Sequence, residues 1–243
     1  MGMMRAHMAL ATAKGDVDFM VHGLILLKVF GHNVWITTTH VTTLIVMVTI
    51  IVIACVFRRA VMQGNPDKPS GLQNAVEFII EMLDKFVEST MGKHWRSYVN
   101  YIGSIAFFIF ISNTSGLFGL RAPTADYGTT LALALITFCM IQYAAFKTSH
   151  FGMFKDLFKP IPILFPSNVI GELATPVSLS LRLFGNIMAG TIMISLWYGL
   201  LPVFAKLGVP AFLHVYFDLF SGAIQTFVFA MLTMTFITQK RDA

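Results

Sequence analysis

The strongest chemical signal in this chain is one cation. Arg182 sits in Ser178-Leu-Ser-Leu-Arg-Leu-Phe-Gly-Asn-Ile-Met-Ala-Gly190, and between Lys159 and Lys206 the only other charged side chain is Glu172. A guanidinium keeps its proton inside proteins. Placing it at membrane depth costs from about 3 to more than about 10 kcal/mol. A charge kept there calls for a partner or a water-filled path. On a helix Thr175, Ser178, Arg182, Asn186 and Gly190 recur at steps of three and four and share one face. Leu179, Leu181, Leu183, Phe184 and Ile187 fill the others. A stripe of small residues also serves plain helix packing. That reading covers the serines and glycines and leaves the permanent cation unexplained.

Asp218 is the sole charge between Val209 and Thr238, followed by Ser221, Gly222 and Gln225 on a second polar stripe. Adjacent antiparallel helices would bring Asp218 and Gln225 near Arg182 and Asn186. The result is either a buried Asp218–Arg182 ion pair or an ion pathway. Intramembrane carboxylates usually mark pathways, so the second is preferred. His214, one turn from Asp218, is either a proton-entry residue or a structural histidine. Glu172 is either a pathway residue or a solvated helix-entry charge. The other histidines scatter without metal-ligand spacing, and neither a metal nor a cofactor is expected. No Gly-Lys-Ser/Thr follows the glycines, so nucleotide binding is not supported. Cys55 and Cys139 read as small buried thiols.

The elements that position these residues follow from composition. Of 243 residues, 56% are hydrophobic and 12% charged, against about 25% charged in soluble domains. The chain therefore reads as a single all-α membrane domain, residues 1–243. The net charge of +5 does not point to nucleic acid, because the basic residues flank apolar runs. An extracytoplasmic segment, 1–33, precedes a first span at 34–57. Residues 72–91 alternate apolar Val76, Ile79, Ile80, Leu83, Phe86 and Val87 with charged Glu77, Glu81, Asp84, Lys85 and Glu88. This pattern predicts an amphipathic helix at the cytoplasmic surface. Spans at 98–120 and 129–146 follow, then two long helices at 167–204 and 209–238. These last two exceed the roughly 30 Å hydrocarbon core and are expected to tilt. Arg58, Arg59, Lys68, Lys85, Lys93, Arg96, Lys147, Lys155, Lys159, Lys240 and Arg241 fall on one side, against Arg5, Lys14, Lys28, Arg121 and Lys206 on the other. The bias places the N-terminus outside and the C-terminus in the cytoplasm. The sum is five membrane-embedded helices plus one interfacial helix.

Ser178-Leu-Ser-Leu-Arg-Leu-Phe-Gly-Asn186 closely resembles the signature of subunit a of rotary F-type ATP synthases. Leu117 to Thr129 resembles that family's outside loop, and Asp218-Leu-Phe-Ser-Gly-Ala-Ile-Gln-Thr-Phe-Val-Phe its last helix. The resemblance implies a non-catalytic, ion-translocating stator subunit in an energy-coupling membrane. The bacterial plasma membrane is expected, with the thylakoid or mitochondrial inner membrane as alternatives. It implies as partners a c-subunit ring, peripheral-stalk b subunits and the remainder of the synthase, with lipid around them. Two aqueous half-channels would meet at the ring. Arg182 would make the passing ring carboxylate release its ion and would block leakage. Asn186 and Gln225 would lie near that contact, and Asp218 in a half-channel. Thr175, Ser178, Gly190, Ser221 and Gly222 would form a small, polar stripe facing the ring. Several bacterial members carry an acidic residue nine positions after the arginine. This chain has Thr191 there, which leaves the half-channel carboxylate to Asp218. Proton is the default coupling ion over sodium. Two other readings compete: a stand-alone transporter whose Arg182 binds an anion, and a structural subunit with Arg182 and Asp218 paired. The transporter reading predicts internal repeats, and no convincing repeat is visible.

Overall fold

The computed structural model describes residues 23–29, 32–62, 71–149, 163, 165–200 and 209–242. Most of the expected N-terminal segment, the break at 63–70, the proline-rich approach at 150–162 and the turn holding Lys206 lie outside the described residues. So do residues 201–204 of the long helix expected at 167–204.

The chain is an all-α membrane protein. Five helical stretches are long and apolar enough to cross a membrane: Thr38–Met62, Gly71–Phe118, Tyr127–Thr148, Phe165–Trp197 and Phe212–Asp242. To these the structure adds a two-stranded antiparallel hairpin, β1 (Gly23–Val29) with β2 (His32–Thr37), in which Leu26 stands opposite Trp35. The first span was expected from residue 34, yet Val34 to Thr37 belong to β2, and helix α1 runs from Thr38 to Met62. Val-Trp-Ile-Thr is β-branched and aromatic, a composition that suits a strand as well as an apolar helix. Apart from Thr39, Thr42 and Val46, α1 buries little, and Leu44, Val48, Ile51 and Val52 point away from the protein. A helix apolar all round and uncovered by protein is suited to lipid.

Helix α2 (Gly71–Met91) turns Val76, Val87 and Met91 inward, while Glu81 and Lys85 pair on its exposed side at 2.7 Å. Its apolar stripe packs on its own bundle. Gly92, at φ +56°, reverses the chain in a left-handed conformation that glycine adopts without penalty. Helix α3 (Trp95–Thr114) then packs back on α2. A 3-10 turn (Ser115–Phe118) and another at Pro123–Ala125 lead into α4 (Tyr127–Ser149). Helix α5 (Phe165–Leu200) has 36 residues, roughly 54 Å at 1.5 Å per residue, well beyond the hydrocarbon core.

The last helical segment differs from the uniform α-helix expected over 209–238. Helix α6 (Val209–His214) passes into a π-helical turn, Val215–Ser221, before α7 (Gly222–Asp242). The wider turn changes the register at Asp218, and such turns often occur at functional sites. Glu172 meets Lys240, Asn186 meets Ser221 and Gly190 meets Phe217. Numbers rising on α5 and falling on its partner make the two antiparallel. Leu179 and Leu183 of α5 pack with Ile105, Ile109, Ala134 and Phe229. A second cluster joins Val87, Tyr98, Ile102, Ile141, Met234 and Ile237. Both cysteines, expected buried, are exposed. They lie on helix faces turned from the bundle, where a thiol needs no protein cover.

Candidate functional site: two cavities along helix α5

Pro176 lies inside α5 and is buried. It lacks an N–H, so the carbonyl of Glu172, four residues back, has no helical donor. Beyond it, Arg182 is exposed among exposed Leu173, Val177 and Leu181. It makes no hydrogen bond or ion pair among the described residues. The preceding turns put Ser178 on the same open side, with Thr175 half-buried. Arg182, Ser178, Thr175 and Gly171 line a groove of about 210 Å³, closed on the other side by Leu232 and Phe236 of α7.

A separate cavity of about 360 Å³ lies against the other end of α5. Ile187, Thr191 and Ser195 line it, facing Asp218 and His214, and Gly116 and Arg121 complete its wall. His214 Nδ1 lies 2.7 Å from the Asp218 carboxylate, whose side chain is 19% exposed. Gly116 makes that position possible. A β-carbon there would stand 2.8 Å from Asp218 Cγ, inside any real contact distance. Nearby, Thr124 donates to Asn113 Oδ1 at 2.7 Å, and Asn113 Nδ2 donates to the Gly222 carbonyl at 3.3 Å. This buried network ties the 3-10 turns to the start of α7. Asp218 therefore sits on a wall that is itself hydrogen-bonded.

Between the cavities, Asn186 and Ser221 join α5 to the π-helical turn. The amide donates to the hydroxyl at 3.0 Å, and the hydroxyl can donate back to Oδ1 at 3.2 Å. Gln225 is buried, and its Nε2 has no partner among the described residues. At the opposite end of the Arg182 groove, Glu172 is bonded through Oε1 to Lys240, and Gln142 Nε2 donates to its other oxygen at 3.1 Å.

The structure thus brings Asp218 together with His214, and Asn186 with Ser221. It does not bring Asp218 to Arg182. The alternative of an internal Asp218–Arg182 pair is replaced by Asp218–His214, because the two charges line different cavities. The expected small, polar stripe also divides. Thr175 and Ser178 line the Arg182 groove. Gly190 instead packs under Phe217, with 3.3 Å left for a β-carbon, and Gly222 packs under Asn113, with 2.9 Å. These two glycines admit neighbours within the chain, the usual use of small residues between membrane helices. Sequence reasoning missed Asn113, Gly116, Thr124, Gln142 and Lys240. Asn113 in an apolar span was the one legible signal among them. The rest depend on which helices meet.

The family model described as ATP synthase A chain matches residues 40–238. The chain belongs to that family, the integral membrane a subunits of ATP synthases. Among its relatives is a protein from Propionigenium modestum, "ATP synthase subunit a, sodium ion specific". The two are 40% identical over 219 residues, covering 83% of this chain and 73% of the relative.

Proposed function

We propose that this chain is the ion-translocating stator subunit of a rotary F-type ATP synthase. It carries no nucleotide chemistry of its own. Ions reach the stator–ring contact through two half-channels, one at the Asp218 cavity and the other at the Arg182 groove. Arg182 meets the ring carboxylates, favours their ionised form at close approach, and bars direct passage between the half-channels. Asn186, Ser221 and Gln225 form the polar layer between the two. The observation that carries this reading is Arg182 itself, a permanent cation on an open apolar face without a partner among the described residues. An opposite charge arriving from another subunit would complete it. Each ion crossing 100 mV supplies about 2.3 kcal/mol, which rotation of the ring conveys to ATP synthesis. The partners are the c-ring, the b subunits and the catalytic sector. The membrane is a bacterial plasma membrane, with the N-terminus outside and the C-terminus in the cytoplasm.

The test has two arms. The purified protein brings down a ring of small hairpin subunits. Arg182→Ala, in a complex that still assembles, abolishes ion-driven ATP synthesis in vesicles. Normal coupled synthesis by that variant would sink the proposal.

Proton is the coupling ion of this reading. Sodium is the second reading, favoured by the name of the Propionigenium modestum relative. Synthesis driven by a pH step without sodium supports the first. Synthesis that needs a sodium step and resists protonophores supports the second.

A further inference from the structure

Next to the Arg182 groove, on the helices that line it, stands an ion pair that is not itself part of the lining. Gly171 and Phe236 line the groove. Glu172 follows Gly171, and Lys240 stands one helical turn beyond Phe236. Both oxygens of Glu172 are engaged, one by the Lys240 ammonium and the other by the Gln142 amide. The two charged side chains are 30% and 28% exposed, so the chain itself does not seal the pair off. Pro176 leaves the backbone carbonyl of Glu172 without a helical N–H donor. Lys240 lies beyond residues 40–238, the part matched by the family model.

A plain staple for the end of α7 would account for the ion pair alone. The neighbouring residue already serves that purpose. Arg241 donates to Thr148 Oγ1 at 3.3 Å and to His94 Nδ1 at 3.2 Å, tying the same helix end to α4 and to the turn before α3. Lys240 is therefore not the sole tie at this helix end.

We infer that Lys240 gates the mouth of the Arg182 groove. This rests on the reading of the groove as an ion path. With Lys240 on Glu172 the mouth is a neutral pair and admits cations slowly. When the ammonium swings aside, the Glu172 carboxylate and the Gln142 amide oxygen form an acceptor pair that gathers a cation and passes it toward the groove. Lys240 is a positioning residue, acting through the Glu172 carboxylate.

The experiment measures passive cation conduction through vesicles bearing the whole membrane sector, stripped of its catalytic sector, beside ion-driven synthesis by the complete complex. Lys240→Gln raises conduction threefold or more. The increase shrinks as ionic strength rises, because salt screens an exposed carboxylate. Lys240→Arg stays near the parent, and Lys240→Gln with Glu172→Gln falls back to the parent level or below. A mere staple would move none of this salt dependence. Conduction in assembled Lys240→Gln equal to or below the parent overturns the gate. If Lys240→Gln does not assemble, Glu172→Gln removes the carboxylate through which the gate acts and should conduct below the parent. Conduction equal to or above the parent by that variant also overturns the gate. Arg182→Ala separates the two levels. If it abolishes coupled synthesis while Lys240→Gln changes nothing, the gate alone fails. If it leaves synthesis intact, the path reading fails with it.

Discussion

The two cavities flanking the centre of α5 hold opposite charges in opposite ways. Asp218 is enclosed. His214 bonds it, Gly116 makes room for it, and Asn113 and Thr124 brace the wall behind it. Arg182 stands open among exposed leucines and valines, with no partner among the described residues. A charge meant only to stabilise the fold would be paired, since an unpaired charge in a low-dielectric setting is expensive. The difference separates a residue finished by its own chain from one completed by something outside it.

The sharpest way to break that contrast is to give Arg182 an internal partner. Ser178→Asp places a carboxylate one turn away on the same face, at the spacing where such pairs form. Ion-driven synthesis in vesicles should be lost about as fully as in Arg182→Ala, although the charge remains. Retained synthesis would mean that Arg182 need not be open. Next in size is Asp218→Asn. Loss of a charge-assisted hydrogen bond, about 1.5 kcal/mol, predicts ion transfer slowed about tenfold. Flux unchanged across the pH range would remove Asp218 from the path. Gly116→Ala attacks the same carboxylate from its wall. Overpacking of about 1–3 kcal/mol should lower the thermal midpoint and slow flux severalfold, and Asp218→Gly in the same background should restore the midpoint. The smallest effect belongs to Ser221→Ala. One interhelical hydrogen bond in a membrane averages about 0.6 kcal/mol, so thermal stability should fall slightly and synthesis should persist.

Much of this was legible in the sequence where a residue announces its own expense. A guanidinium and a carboxylate in apolar runs cannot be incidental, and the 3.6-residue period places Ser178 beside Arg182. The amphipathic pattern of α2 likewise declares its buried face, with Val76 and Val87 inward. What sequence could not give depends on three-dimensional neighbours. Gly190 and Gly222 look alike in a stripe, but which helix each one admits depends on the approach of Phe217 and Asn113. Gly116 reads as loop glycine until Asp218 is seen above it. The β2 strand was hidden because Val34 to Thr37 are as apolar as the helix they precede. Lys240 read only as a cytoplasmic anchor, and its meeting with Glu172 spans 68 residues of sequence.

The π-helical turn at Val215–Ser221 has a consequence for genetics. An α-helix advances about 100° per residue, so tolerance to substitution along it should rise and fall with a steady phase. A π turn holds more residues than an α turn. A complete substitution scan from Val209 to Asp242 should therefore show two regular rhythms that do not join, with a slip in phase between His214 and Gly222. Deleting a single residue within Val215–Ser221 would bring the rhythms into step and swing Asp218 off its cavity, while leaving every side chain of α7 intact.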